Sequence, residues 1–424
     1  MSAATSRLPG FQRLSPAERI AKLREVGVLH TAQAEGLEAA GAALTGTVDH
    51  LVENVIGTLN VPIGIATNLI VDGDEVLVPM ATEESSVIAA QCNGARQCRA
   101  GGGLQTDTSG TLMIAQVQLS DVPDPVFARA EIIARRGELR DACDEVDPTL
   151  KAVGGGMRRV EVRLIDAGAP DGVLLVVHLI VDTKDAMGAN TVNAMAETVA
   201  PMIAQWSGGR VGLKILSNLA DQRLVRVRGT WLLDDIGGPE VRDGMLRTSR
   251  FAAADPYRAT THNKGIMNGV SAVLLATGND TRAVEAGAHA YAARDGQYTA
   301  LSRWEADGDG NLVGVLEMPL AVGIVGGATQ AHPTAKTSLS IMGIRSADHL
   351  TRIAGAVGLV QNFAALKALA TEGIQRGHMK LHAKNMAMMA GTSEAEVDAV
   401  VEAMLEDGHV RVDVAKRILE KLRG

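Results

Sequence analysis

Residues 173–190 read Val173-Leu-Leu-Val-Val-His178-Leu-Ile-Val181-Asp-Thr-Lys-Asp185-Ala186-Met187-Gly188-Ala189-Asn190. The run from Val173 to Val181 is too short for a bilayer span, which needs roughly 20 apolar residues, but it suits a buried strand. Small residues then lead into a helix expected from about Asn190 to Trp206. On the N-terminal side, Ala167-Gly-Ala-Pro-Asp-Gly172 is turn chemistry and separates this strand from another at Val160–Ile165. Further back come a charged helix, about Pro125–Val146, and a strand at Leu112–Leu119, while a last strand at Val211–Leu216 follows the helix. The order is βαββαβ, which predicts a small ferredoxin-like α+β unit over 111–217.

That unit interrupts a longer mixed α/β chain formed by 1–110 and 218–375, so the fold class is α+β with a smaller inserted domain. Ser15-Pro16-Ala17-Glu18 is a capping box with proline at the first helical position. Apolar runs between Val61 and Pro79, broken by Asp72-Gly73-Asp74, predict a hairpin. Glu83-Glu84-Ser85-Ser86 opens an Ala-rich helix that ends near glycines 101–103, and further helices are expected at 282–293 and 346–370. Gly391 stops a helix, Ser393 with Glu396 forms a second capping box, and two short helical units meet around Gly408, giving a helical segment over 376–424.

The chain has 424 residues, 46% of them hydrophobic and 2% aromatic, so its cores must be built from aliphatic side chains and Met. A net charge of −8, without a basic stripe carrying aromatics, argues against nucleic acid. Three cysteines, Cys92, Cys98 and Cys143, suit a reducing cytoplasm better than a disulfide framework. There is no apolar N-terminal signal and no long apolar span, so a cytoplasmic protein without a membrane partner is expected.

The candidate chemistry is scattered. The G-x-G-x-x-G spacing of a Rossmann site does not occur. The stretch Asp185–Asn190 is either a turn with a helix N-cap, or a place where backbone N–H groups and a helix N-terminus receive a pyrophosphate. Glu83 and Glu84 are either first-turn acids or include a carboxyl that works as a general acid. Arg258, His262, Asn263, Lys264 and Asn268 crowd a stretch without the apolar period of a surface helix. It reads equally as a polar loop or as the home of an oxyanion partner. Asp280, after an apolar strand-like run, caps the next helix or partners a lysine. His378 and His382 share a helical face, but the glutamate of H-E-x-x-H and a third ligand are missing, so no metal is expected.

Taken in order, Glu53-Asn-Val-Ile-Gly57, Glu83-Glu84 with Ser86-Val-Ile-Ala-Ala90, Asp185–Asn190, Lys264-Gly-Ile-Met-Asn-Gly269, Ala276-Thr-Gly-Asn-Asp-Thr-Arg282, Gly323-Ile-Val-Gly-Gly-Ala328 and Gly377-His-Met-Lys-Leu-His382 resemble the signature set of 3-hydroxy-3-methylglutaryl-coenzyme A (HMG-CoA) reductases. The resemblance runs over nearly the whole chain and is to the soluble, bacterial class II form.

It implies hydride transfer between a nicotinamide dinucleotide and the HMG-CoA/mevalonate pair, with coenzyme A as co-substrate. It also implies a large thioester-binding domain, a small non-Rossmann cofactor domain at 111–217, a mobile C-terminal segment, and active sites shared between subunits of a homodimer or larger homo-oligomer. By the same resemblance Glu84 exchanges protons with the carbonyl oxygen, Lys264 stabilises its developing charge, Asp280 orients Lys264, and His382 protonates the departing thiolate. Arg258 takes the substrate's free carboxylate, with Ser86, Thr261 and Asn268 in the same pocket. Asp185, Ala186, Met187, Gly188, Ala189 and Asn190 serve the dinucleotide. Asp147 matches an aspartate of NAD-preferring class II enzymes, which implies NAD(H) rather than NADP(H) and fits mevalonate degradation. An NADP-dependent, mevalonate-forming reductase and a silent coenzyme A thioester-binding protein are the alternatives. Gln12, with Arg13 beside it, replaces an arginine that relatives use towards coenzyme A. Residues 226–250 differ in length from relatives, and Gly373 and Gly377 are candidate hinges for the closing segment.

Overall fold

β1 (Ile63–Val71) and β2 (Asp74–Ala81) reverse at Asp72 and Gly73, both at positive φ, and pair antiparallel, as the sequence predicts. The computed structural model describes residues 14–25, 31–32, 34–35, 38, 52–170, 172–371 and 373–424, with Leu23 and 374–381 as backbone only. Gln12 and Arg13 lie outside the described residues. β3 (Leu104–Thr108) runs parallel beside β1 and pairs on its other side with β8 (Leu224–Trp231), which is antiparallel to it. With β9 (Ser302–Ala306) and β10 (Leu312–Pro319) these strands form a six-stranded sheet in the order β2-β1-β3-β8-β10-β9.

Because β3 and β8 pair directly, the chain between them is an excursion from this sheet. It contains β4 (Leu112–Ser120), β5 (Gly156–Asp166), β6 (Val173–Asp182) and β7 (Arg210–Ser217), which form a separate antiparallel sheet in the order β5-β6-β4-β7. β6 lies between β4 and β5 and antiparallel to both, the split βαβ arrangement that the element order implies. Helices Pro125–Ala134, Arg136–Val146 and Ala189–Ser207 supply Ile132, Leu139, Cys143, Val192, Met195 and Val199 to its core. The single charged helix expected over 125–146 is broken at Arg135. There the guanidinium lies 5.1 Å from the Trp206 ring, and Gly137 weakens the helix that follows.

Against the larger sheet lie helices Val87–Cys98, Pro239–Ala254, Pro256–Ala276 and Ala347–Ala370. Pro256–Ala276 contains the stretch read as either a polar loop or a catalytic segment, and its C-terminal end is the run read as strand-like. Its buried residues, Ala259, His262, Asn263, Ile266, Met267, Val270 and Val273, surround the helix axis, so no one-sided stripe exists to be seen. Among the described residues one helix, Ala347–Ala370, is long and apolar enough to cross a membrane, and 67% of its most apolar stretch is buried inside the protein. Helices Ile374–Met389, Glu394–Asp407 and Val412–Arg423 gather around a small core of their own, with Ala387, Val400, Met404 and Leu419 at its centre. Both capping boxes are present: Ser15 N–H and Ser393 N–H each donate to the glutamate three residues on, at 2.7 Å.

Three buried aromatic residues cluster in the core of the larger sheet. Trp231 stacks on Phe363 at 4.5 Å between centroids and lies 5.2 Å from Trp304. The Trp304 N–H donates to Asn362 Oδ1 at 2.8 Å, which turns the Asn362 amide towards His262 Nε2 at 3.2 Å, with Ser302 Oγ 2.7 Å from the same nitrogen. With the Asn362 amide nitrogen donating, Nε2 is an acceptor, which leaves the proton on Nδ1, a buried atom without a partner among the described residues. Burial, reinforced by the charge of Arg258, pushes the His262 pKa down from 6.5 to about 3. The folded protein keeps this ring neutral where the unfolded chain protonates it, so its contribution to stability is complete above pH 6.5 and is lost as pH falls towards about 3. Unfolding free energies from urea titrations across this window should fall with acidification, with a slope approaching about 1.4 kcal/mol per pH unit for the one proton. His262→Gln should remove that increment, and an unchanged pH dependence would refute it.

Candidate active site

Helix Pro256–Ala276 starts at Asp255, whose carboxylate accepts the Arg258 N–H at 2.8 Å, with proline at the first helical position. From this start Arg258, Thr261, Lys264, Gly265 and Asn268 fall at helical spacing on one face and line a cavity of about 560 Å³. Glu84 and Ser86 form the opposite wall, in the connection from β2 to helix Val87–Cys98. The two acids precede that helix and are not in its first turn, because Ser86, left-handed at φ +76, is its N-cap. A serine held in this conformation is strained backbone at the cavity rim.

Lys264 Nζ donates to Glu84 Oε2 at 3.0 Å. The side chains are 60% and 40% exposed, so the pair lies open to whatever enters the cavity. Among the described residues no carboxylate pairs with the Arg258 guanidinium, and burial alone pulls its pKa down. A half-buried, unpaired guanidinium beside a lysine–carboxylate pair is suited to an acidic ligand with a polarisable carbonyl. Gln361 and Asn362, from the long helix, and His262 complete the wall. The sequence reading assigned no role to the first two, although polar side chains inside so apolar a helix are a signal in themselves.

A second cavity, of about 450 Å³, shares no lining residue with the first. Ala186, Met187, Gly188, Ala189, Asn190 and Thr191 line one side, and Asn279 and Asp280 with Gly323 and residues 325–329 line the other. Gly188, at φ +98, is the N-cap of helix Ala189–Ser207. A Cβ on Gly323 would stand 2.5 Å from Met187 N, so only glycine leaves that backbone open. The Asp185 carboxylate is engaged elsewhere: Oδ1 accepts the Ala347 N–H at 2.8 Å, and the Asp185 carbonyl accepts from Ile324 N–H at 2.9 Å. Asn279 Oδ1 accepts Gly323 N–H at 2.8 Å, a fixing contact that the sequence did not suggest.

Asp280 caps helix Thr281–Ala292 through Ala283 N–H at 3.1 Å and pairs with Arg282 at 3.3 Å. Within one chain it therefore serves the second cavity, and Lys264 the first. His382 is exposed on helix Ile374–Met389 and lines neither cavity; the His378 side chain lies outside the described residues. Asp147 caps helix Pro148–Ala152, with Oδ1 accepting Leu150 N–H at 2.8 Å and Oδ2 accepting the Thr191 hydroxyl at 3.2 Å. Among the described residues no group of three or more His, Cys, Asp or Glu is placed to hold a metal ion.

Residues 15–383 match the family model of hydroxymethylglutaryl-coenzyme A reductase. The chain is 52% identical over 421 residues to the 3-hydroxy-3-methylglutaryl-coenzyme A reductase of Archaeoglobus fulgidus, covering 99% of this chain and 96% of that one. It is 36% identical over 386 residues to the probable reductase of Borreliella burgdorferi, covering 88% and 87%. Among solved structures, the Streptococcus pneumoniae reductase superposes with a TM-score of 0.75 at 39% identity, covering 98% of this chain and 99% of that one. A second structure, of the class II Streptococcus pneumoniae enzyme bound to NADPH in open conformations, gives 0.75 at 40% identity, covering 97% and 100%.

That NADPH-bound relative overturns the expected preference for NAD(H). The physical reason lies at Asp147, whose two oxygens each already accept one hydrogen bond, from a helix-cap N–H and a threonine hydroxyl, so its presence does not by itself signal a free ribose acceptor. From the match along most of its length and the shared fold, the chain belongs to the hydroxymethylglutaryl-coenzyme A reductase family, whose reaction is oxidation–reduction between HMG-CoA and mevalonate.

Proposed function

We propose that this protein forms mevalonate and coenzyme A from HMG-CoA with NADPH, in a site completed by a second copy of the chain. The observation that carries this is the unpaired Arg258 guanidinium in the same cavity as the Lys264–Glu84 pair. The degradative role was tied to NAD and loses its basis with it.

The large thioester-binding part is 1–110 with 218–375, the dinucleotide-binding part is 111–217, and 376–424 closes over the site. The site would take two NADPH molecules in turn, each supplying one hydride, the first to the thioester carbonyl and the second at the aldehyde level. Arg258 takes the substrate's free carboxylate through a bidentate fork, helped by Ser86, Thr261 and Asn268. Lys264 stabilises the charge that develops on the carbonyl oxygen, and Glu84, already hydrogen-bonded to it, exchanges the proton. His382 protonates the leaving thiolate once the C-terminal helices bring it over the cavity.

The glycine-lined second cavity fits a pyrophosphate, because Gly188 and Gly323 leave the Ala186–Asn190 backbone uncovered. Lys151, Arg158 and Lys184 stand around Asp144 and Asp182 near the Asp147 helix and suit a 2′-phosphate better than a lone acid would. Two features support a second copy. Asp280 and Lys264 serve separate cavities in one chain, and the β1–β2 hairpin leaves Ile63, Ile65 and Leu77 exposed, next to a 91% exposed Leu59. Free thiols at Cys92, Cys98 and Cys143 are in keeping with a reducing cytoplasm.

HMG-CoA should oxidise NADPH, followed by its absorbance, and NADH much more slowly. No turnover by folded protein with either cofactor would leave only a thioester-binding protein. Lys264→Ala should lower kcat by about 10²–10³-fold, and Arg258→Lys should act mainly on the KM for HMG-CoA. A lysine variant with wild-type kcat would remove its role. Gly373, at φ +78, heads helix Ile374–Met389. Alanine there costs about 1–3 kcal/mol of backbone strain, so Gly373→Ala should change turnover while resting protein binds NADPH normally. Unchanged kinetics would exclude it as a hinge.

A further inference from the structure

Arg223 lies in the connection from β7 to β8 and is 1% exposed, among the largest fully buried side chains in the protein. Its Nη1 donates to Thr183 Oγ1 at 3.0 Å, to the Ala186 carbonyl at 3.2 Å and to the Met187 carbonyl at 3.5 Å. Its Nη2 donates to the Val322 carbonyl, immediately before Gly323, while Nε has no partner. One buried guanidinium thus holds both walls of the second cavity from behind.

No carboxylate among the described residues stands within ion-pair distance of it. The acids whose charge reaches it, Asp182, Asp185 and Asp348, are engaged by other groups: Asp182 by Arg158 and Lys184, Asp348 by Arg352, and Asp185 by the Ala347 N–H. Burial lowers its pKa to about 10, so it remains a cation at neutral pH. Burying a charge without a counter-charge costs several kcal/mol, and a buried apolar side chain would avoid that cost.

The peptide plane shows what the contact does. In a trans peptide the C=O of one residue and the N–H of the next point in opposite directions. Turning the Ala186 and Met187 carbonyls inward to Arg223 therefore turns the Met187 and Gly188 N–H groups outward. Neither N–H has an acceptor among the described residues, and both residues line the second cavity. Two successive outward N–H groups at a helix N-terminus form an anion-binding concavity.

We infer that Arg223 is the positioning residue of the dinucleotide site: it aims the Met187 and Gly188 N–H groups at the pyrophosphate, and its buried charge is balanced when that anion binds. This rests on the reading that the Asp185–Asn190 loop takes the dinucleotide. Lysine keeps the charge but cannot hold three carbonyls and a hydroxyl in a planar fork, and methionine loses both.

The test uses the full chain with NADPH as probe, comparing Arg223→Lys, Arg223→Met and Asn190→Asp, the last placing a negative charge on the loop itself. Arg223→Lys should raise the Kd and KM for NADPH about tenfold, the scale of one lost charge-assisted hydrogen bond. The KM for HMG-CoA should stay within about twofold, since the first cavity lacks this contact, and Arg223→Met should be worse than lysine. Wild-type NADPH affinity in Arg223→Lys, with Asn190→Asp weakened, would overturn the inference and leave the loop reading intact. Equal rises in both KM values with a lowered thermal midpoint would also overturn it, marking Arg223 as merely structural. Unchanged NADPH affinity in Asn190→Asp would overturn the loop reading and the inference with it. If Arg223→Met does not fold, the lysine variant alone decides.

Discussion

The close approach of helix Ala347–Ala370 to its neighbours is the constraint on which the larger half of the molecule depends. A Cβ on Gly358 would meet Val270 at 2.9 Å, one on Gly269 would meet the Val357 carbonyl at 3.2 Å, and one on Gly94 would meet the Val360 carbonyl at 3.1 Å. The long helix, Pro256–Ala276 and Val87–Cys98 therefore touch nearly backbone to backbone, which a chain so poor in aromatics and so rich in glycine and alanine can achieve. The first cavity lies where these three helices meet. Its geometry is inherited from the packing: Ser86 and Val87 come from one helix, Arg258 to Asn268 from the second, and Gln361 and Asn362 from the third.

The same helix also ties the two sheets together. Its N-terminal Ala347 N–H is held by Asp185, so the end of β6 and the start of the core helix share one hydrogen bond. Arg223 adds contacts on the other side of the same loop, and Asn279 fixes Gly323 on the facing wall. The second cavity is thus built at a junction, and its backbone is fixed by side chains from several elements. This is how a loop of small residues, with few side-chain contacts of its own, can present backbone donors in a set direction.

The architecture was legible where local signals and tertiary demands agree. The smaller sheet follows from apolar runs, turn residues and alternating element types, the β1–β2 hairpin from Asp72 and Gly73, and the C-terminal helices from Ser393, Gly391 and Gly408. Pro256–Ala276 was ambiguous for a physical reason: a helix buried all round, with His262 and Asn263 inside, has no polar side to give it a period. The strand-like reading before Gly278 fails in the same way, since an apolar run in a core helix and in a buried strand look alike. Arg223 was not legible at all. An isolated arginine in a turn gives no hint that it will be buried, because its partners are carbonyls at 186, 187 and 322.

Asp147 and Asp185 show what a motif match leaves open. Each was placed in the dinucleotide site by residue type and position, and each carboxylate already accepts hydrogen bonds within the chain: Asp147 from Leu150 and Thr191, Asp185 from Ala347. A carboxylate that caps a helix is held by charge-assisted hydrogen bonds. To accept a ribose hydroxyl as well, it must use a remaining lone pair or give up the cap. Lys151 in that helix pairs with Asp144, while Arg158 and Lys184 both pair with Asp182, so the charges near it are of both signs. Cofactor choice at such a site depends on which side chains still have unused hydrogen-bonding capacity and on the sign of the field they share, and residue identity at one position determines neither.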